Sequence, residues 1–229
     1  MATLLLRLAA PMQSWGGESK FETRRTMPYP TKSGVTGMLA AALGYSRDHS
    51  LDELTALRFG VRVDREGELM RDYHTVQAEK PYITERYYLA DAVFLAGLEG
   101  ERRQLEELET ALRSPVYPLY LGRRSCPPTM PLVLGIRDKE LLAALNEEPW
   151  LLSEWRRERA CNNGENALRI IVDDENSSST IRDVPLSFSK THREHGWRGV
   201  RDCGYVEMKG ENDEADETET QHDPFDELR

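Results

Sequence analysis

The side chains best suited to chemistry in this sequence are cations and aromatics, gathered in three segments. Residues 11–17 read Pro-Met-Gln-Ser-Trp-Gly-Gly, with Gln13, Ser14 and Trp15 at their centre, and lead to Arg24-Arg25 and then Thr31-Lys32-Ser33-Gly34. Ser33 and Gly34 open a helical pattern, so free backbone N–H groups beside the Lys32 ammonium make a natural anion site. It is not a Walker A loop, because the G-x-x-x-x-G-K-[ST] spacing is missing. The second segment, residues 117–128, holds Tyr120, Gly122, Arg123 and Arg124 before a rigid Pro127-Pro128. Stiff backbone lowers the entropy lost when two guanidinium groups dock on phosphates. The third, residues 76–88, interleaves Lys80 and Arg86 with Tyr82, Tyr87 and Tyr88. Rings mixed with bases suit unpaired RNA, by stacking and phosphate contact. Each segment also has an ordinary reading: a capped helix, a solvated loop, tyrosines packed in a hairpin.

Bond-breaking chemistry has weaker support. A metal-free RNA-cutting site needs histidine, lysine or tyrosine to move protons. Tyr73 and His74 are adjacent, and on a strand they point to opposite faces. Lys190, His192 and His195 form a better set, yet a basic loop explains them equally well. Asp173-Asp174-Glu175 runs into Asn176 and three serines, which reads as a surface loop. Cys126, Cys161 and Cys203 are odd in number and far apart, so neither a zinc site nor a disulfide framework is indicated. No catalytic residue, metal or cofactor is expected.

These segments need elements to hold them. Residues 3–8 suit a strand, followed by a long ordered loop over 11–30. Val35, Met38, Leu39, Ala42 and Leu43 mark a helix over 33–44, with Ser33 as its cap and Gly44 as its end. Ser50 and Glu53 suggest a capping box for a short helix through Leu57. Phe59, Val61 and Val63 alternate with Arg58 and Arg62 as a half-buried strand, and residues 69–76 are expected to return as its partner. Residues 89–98 read as a strand, and 101–113 as a helix on Leu105, Leu108 and Leu112. A helix near 139–146 and strands at 168–172, 183–189 and 204–208 complete the pattern. The order β–α–β–β–(insert)–β–α–β predicts an α+β fold close to the ferredoxin-like type.

The net charge of −10 is uneven: residues 207–229 carry −8, which leaves −2 on the other 206 residues. A near-neutral body with arginine clusters can hold nucleic acid locally, without bulk attraction. The acidic end is expected to be disordered or to dock on a partner. No RNP1 pattern of an RNA-recognition motif occurs. No stretch reads as a signal peptide or membrane span, so no membrane association and a cytoplasmic location are expected.

In order along the chain, LLLRLAAPMQSWG (4–16), PTKSGVTGMLAAALG (30–44), RDYHTV (71–76), YLADAVF (88–94) and PLYLGRRSCP (118–127) cover much of residues 1–135, and HDPF follows at 222–225. This set resembles the fifth Cas protein family, in its CasD-type branch from type I-E CRISPR Cascade complexes. The resemblance implies a RAMP-superfamily fold: a ferredoxin-like, RRM-like domain over 1–136 with a β-hairpin thumb at about 76–88. A small β-rich C-terminal part over 137–208 and the acidic tail over 209–229 would follow. It implies a non-catalytic subunit that holds the eight-nucleotide 5′ handle of the CRISPR RNA in antiviral defence. Its partners would be the backbone subunit CasC and the large subunit CasA, with target DNA met indirectly. On this reading Arg24, Arg25, Lys32, Arg123 and Arg124 meet phosphates, with Ser33 and Tyr120 beside them. Gln13, Ser14, Trp15 and His74 line the handle, while Lys80, Arg86 and Tyr87 on the thumb kink the RNA and touch CasC. In the type I-C relative the homologous protein is itself a metal-independent endoribonuclease, which is the alternative function. A protein-only scaffold is a third. The short thumb and the long acidic tail depart from the family pattern.

Overall fold

Residues 2–9 are apolar at nearly every position, and a strand of that kind is stable only when both of its faces are covered. The computed structural model, which describes residues 1–16, 23–77 and 81–208, places them as β1 (Ala2–Ala9) inside a sheet with helices on both sides. Lys80 and the acidic residues 209–229 lie outside the described residues. Along the chain follow β2 (Met12–Gln13), β3 (Thr23–Arg24), α1 (Lys32–Leu43), α2 (Asp52–Thr55), β4 (Arg58–Arg65), β5 (Glu68–Val76), β6 (Tyr82–Ala90) and β7 (Val93–Gly100). Then come α3 (Arg102–Arg113), β8 (Val133–Arg137), α4 (Leu141–Glu147), α5 (Glu154–Asn162), β9 (Ala167–Asp173), β10 (Thr180–Phe188) and β11 (Arg193–Glu207).

The fold is mixed α+β. Seven strands form an antiparallel sheet in the order β10-β11-β9-β4-β7-β1-β8. The period-two alternation of strands sends Leu4, Leu6 and Leu8 into one core with Val35 and Leu39 of α1 and Leu105 and Leu108 of α3. It sends Leu5 into a second core on the opposite face, with Leu141 and Leu145 of α4 and Val172 of β9. Strands β9, β10 and β11 continue the same sheet through the β4–β9 ladder.

A second, smaller sheet carries the long hairpin. β5 pairs with β6 along its whole length, from Glu68–Ala90 to Val76–Tyr82. The expected return of residues 69–76 along the preceding strand therefore does not occur; β4 pairs with β7 and β9 instead. β2 and β3 pair with β6 near the hairpin's root. The stretch 89–98 is not one strand but two, split at Asp91, whose φ of 55° makes the turn between β6 and β7. β11 begins eleven residues earlier than the pattern at 204–208 suggested, because its glycines and charges hide a strand paired on both sides. Helix α5 carried no clear apolar stripe and buries only Ala160.

β4 is not half-buried as its alternation predicts. Arg62 is wholly buried, and its five donors are all used. Nε and Nη2 donate to the Asp64 carboxylate at 2.8 and 2.9 Å. The remaining donors reach the carbonyls of Leu145, Glu148 and Pro149, at 2.7, 2.5 and 3.0 Å, where α4 ends. Asp64 also accepts the Leu151 N–H at 2.9 Å. A forked pair in which every guanidinium proton is matched and both carboxylate oxygens accept is the condition under which buried charge is tolerated. Arg62→Ala should therefore cost roughly 3–5 kcal/mol, the price of leaving Asp64 buried alone. It would appear as a lower urea midpoint, and the double change Arg62→Ala/Asp64→Ala should lose less than the sum of the two single changes.

Candidate nucleic-acid interface

Three stretches far apart in sequence meet at one groove of 2090 Å³. Its floor is α1, from Ser33, Gly34 and Gly37 on to Ala40 and Ala41. One wall is Arg24 and Arg25 with the loop that carries Tyr120, Gly122, Arg123 and Arg124. The other wall is the β10–β11 hairpin, which contributes Arg182, Lys190, Arg193 and His195. Arg47, just past α1, also lines the groove. Among the described residues lining it, Asp183 is the sole carboxylate.

The arginine loop is held by backbone. Leu121 N–H donates to the Cys126 carbonyl at 2.8 Å, and Cys126 N–H to the Arg123 carbonyl at 2.9 Å. Ser14 N–H reaches the Leu121 carbonyl at 3.2 Å, which ties this loop to the one after β1. At the crossing, Gly122 has φ 82°, and a Cβ there would sit 1.6 Å from the Ser14 carbonyl oxygen. Only glycine fits, on both counts. Arg123 then lies over the Tyr88 ring, 4.5 Å from its centroid, and gives Nη2 to the Arg24 carbonyl at 3.1 Å. Its buried Nη1 has no hydrogen-bond partner among the described residues. Burial raises the pKa of the Cys126 thiol, in keeping with an inert packing role.

The residues expected to touch RNA divide into two groups. Ser14, Arg24, Arg25, Ser33, Tyr120, Arg123 and Arg124 line the groove. Gln13 and Trp15 do not: both are in the core, where Gln13 Nε2 donates to the carbonyls of Leu8 and Ala92 and its Oε1 accepts the Trp15 indole N–H. Lys32 is also buried, with its ammonium 2.9 Å from Asp173. The anion site at the start of α1 is filled from within, because Asp183 accepts the Lys32 backbone N–H at 2.8 Å. The cap is Thr31, whose Oγ1 accepts the Gly34 N–H, rather than Ser33. Ser50 likewise accepts from Asp52 and makes no box with Glu53.

His74, Arg86 and Tyr87 sit on the hairpin, away from the groove lining. His74 Nε2 is 2.6 Å from Asp72 and 3.4 Å from Arg86 Nη1, so these three share one face. Tyr73 and Tyr87 lie on the other, where Tyr87 donates to Glu85 at 3.2 Å. His192 pairs with Glu194 at 3.0 Å and does not line the groove. Sequence reasoning missed Arg47, Arg182 and Arg193, and it raised Lys190 and His195 only as proton carriers. The density of bases over 190–201 was the available signal. The pKa of His195 is lowered by burial first, then by Arg193 and Arg182 beside it.

Comparison with known proteins identifies the family. The family described as "CRISPR-associated protein (Cas_Cas5)" matches residues 3–201. The chain belongs to the Cas5 family. The family resemblance carried by the five ordered motifs is borne out by that match. A relative from Escherichia coli (strain K12), "CRISPR system Cascade subunit CasD", is 41% identical to this Cas5 chain over 175 residues, or 64% of this chain and 77% of the relative. A solved structure titled "CRISPR RNA-guided surveillance complex" aligns with a TM-score of 0.75 at 34% identity, covering 90% of this chain and 91% of the other. Another, "Crystal structure of Cas protein", aligns at 0.70 with 42% identity over 90% and 95%. Among the described residues no helix is long and apolar enough to cross a membrane.

The Gly122 crossing supplies a direct check on this Cas5 groove. Gly122→Ala should displace the Arg123–Arg124 loop from Ser14 and lower the thermal midpoint. Faster proteolysis within residues 117–128 should accompany it, with the far-UV spectrum kept.

Proposed function

We propose that this chain is the RNA-binding subunit of a type I-E CRISPR surveillance complex, and that it grips the 5′ handle of the guide RNA in the groove without cutting it. The observation that carries this reading is the cationic groove along α1, lined among the described residues by eight arginine or lysine side chains and one carboxylate. Single-stranded RNA fits such a groove because its phosphates can be followed by forked guanidinium groups while splayed bases meet rings such as Tyr120. The Nη1 of Arg123, without a partner among the described residues, supports the same reading, since a buried donor in that state gains most from an arriving phosphate oxygen. The contacting set is then Arg24, Arg25, Ser33, Tyr120, Arg123 and Arg124, joined by Arg47, Lys190 and Arg193. Gln13, Trp15 and Lys32 serve by holding the loop and helix in place.

The core topology fits a ferredoxin-like RAMP fold, in which β8, β1, β7 and β4 stand side by side with α1 and α3 on one face. The β5–β6 hairpin is the thumb. Its outer face exposes Leu69, Tyr73 and Ile83, a surface suited to the backbone subunit CasC, with CasA as the second neighbour. The DNA target would be recognised by base pairing with the guide and not by this subunit.

One observation favours an endoribonuclease instead: a histidine with a lowered pKa, His195, shares the groove with Lys190. Incubating the pure protein with labelled repeat RNA in chelator separates the readings. Cleavage that is lost in His195→Ala would establish the enzyme.

Two outcomes are expected if the groove only binds. Arg123→Ala/Arg124→Ala should weaken binding of handle RNA and flatten its dependence on salt by about 1.4 in the log–log slope, at roughly 0.7 per phosphate contact on a single strand. Unchanged guide retention in that double variant would remove the assignment. Binding should also tighten as pH falls through the ordinary histidine range. Burial and the neighbouring arginines lower the pKa of free His195, and a nearby phosphate favours its charged form, so binding takes up a proton. His195→Gln should abolish that pH dependence, as read by fluorescence anisotropy.

A further inference from the structure

The wall built from β10 and β11 is fastened to the rest of the protein by buried charge. β10 is the edge strand of the large sheet, and its ladder is with β11. Asp183, in its middle, is 4% exposed and accepts the Lys32 backbone N–H at the start of α1. Arg198 of β11 grips the same carboxylate with two bonds, Nε to Oδ1 at 2.6 Å and Nη2 to Oδ2 at 2.9 Å. Its third arm, Nη1, pairs with Asp173 at the end of β9. Asp173 in turn accepts Lys32 Nζ at 2.9 Å and the Phe59 N–H of β4 at 3.0 Å. One guanidinium therefore ties β10, β11, β9 and β4 to α1. Farther out, the Phe188 ring lies 3.5 Å from where a Cβ on Gly37 would be, and Arg193 stands over that ring. Beyond these anchors the hairpin runs to Lys190.

We infer that Asp183 is a positioning residue for nucleic-acid binding. By holding α1 and Arg198 together it sets Lys190 and Arg193 at the separation from Arg123 and Arg124 at which both walls reach one RNA strand. The inference rests on the proposed RNA-binding role of the groove and goes beyond it, because Asp183 itself touches no RNA. Simple electrostatics argues the opposite sign. Asp183 is the one carboxylate among the described lining residues, so neutralising it makes the groove more positive and should tighten RNA binding. Positioning predicts weaker binding instead, because the wall that carries Lys190 and Arg193, with Arg182 beside them, is released.

The experiment measures binding of fluorescein-labelled eight-nucleotide handle RNA to the full chain over a salt series, below the melting range of every variant. Wild type, Asp183→Asn, Lys190→Ala/Arg193→Ala and the combined variant are compared. Asp183→Asn should weaken binding about tenfold, within the couplings usual for residues in one network. Its salt slope should be shallower by about 1.4, the value for two lost phosphate contacts. Adding Lys190→Ala/Arg193→Ala to Asp183→Asn should then cost little more. Binding that is equal or tighter in Asp183→Asn overturns the inference, as do losses that multiply independently. If Asp183→Asn does not fold, Arg198→Lys replaces it, since an ammonium cannot fork between two carboxylates; the same outcomes decide. Should Lys190→Ala/Arg193→Ala have no effect while Arg123→Ala/Arg124→Ala does, the inference fails and the function stands. Should wild type fail to bind, both fail.

Discussion

Two carboxylates and one guanidinium, Asp173, Asp183 and Arg198, lie under the amino end of α1, and the groove exists because of where they sit. A helix start offers unpaired N–H groups and a positive end to any anion. Here the anion is part of the protein. Burial alone lowers the pKa of Arg198, yet the two carboxylates more than offset this, so the guanidinium stays charged where it is enclosed. The result is a charged hinge pin between the last hairpin of the chain and its first helix, separated by about 150 positions in sequence.

The same principle recurs on the opposite face of the sheet. Arg62 and Asp64 form a second closed set, which clamps the end of α4 with every donor matched. Each charged set sits where one end of a helix meets the sheet. Elsewhere the layers are joined by leucines, with Leu4, Leu6 and Leu8 on one side and Leu5 on the other. Aliphatic packing supplies most of the burial, and the matched charges fix which helix end meets which strand.

The groove itself depends on close approach of backbones. Gly122 lets the arginine loop lie against the Ser14 carbonyl, and the Trp15 ring fills the space beneath Gly34. Core residues Gln13 of β2 and Trp15 just past it thereby carry the arginine loop without facing the groove. Arg123 is restrained by the Tyr88 ring and by the Arg24 carbonyl, so little freedom remains to be lost when it meets a ligand.

From the sequence alone came the family, carried by ordered motifs, and the elements with strong periodicity. Helix α3 on Leu105, Leu108 and Leu112 and helix α1 with its Gly44 end were legible, as were the arginine pairs at 24–25 and 123–124, because local pattern and turn chemistry dictate them. What the sequence left open was every choice made by a distant partner. Lys32 reads as a phosphate ligand until Asp173 is placed beside it. Arg62 reads as a solvent-facing base until the carbonyls at the end of α4 surround it. Residues 69–76 could pair with either neighbour, and the β6 ladder won. Arg182 and Arg193 join the site only because the sheet brings β10 and β11 across to α1. Periodicity reports whether a side chain is covered; only the tertiary structure names the atom that covers it, and for a charged group that atom decides whether it holds the protein or faces the ligand.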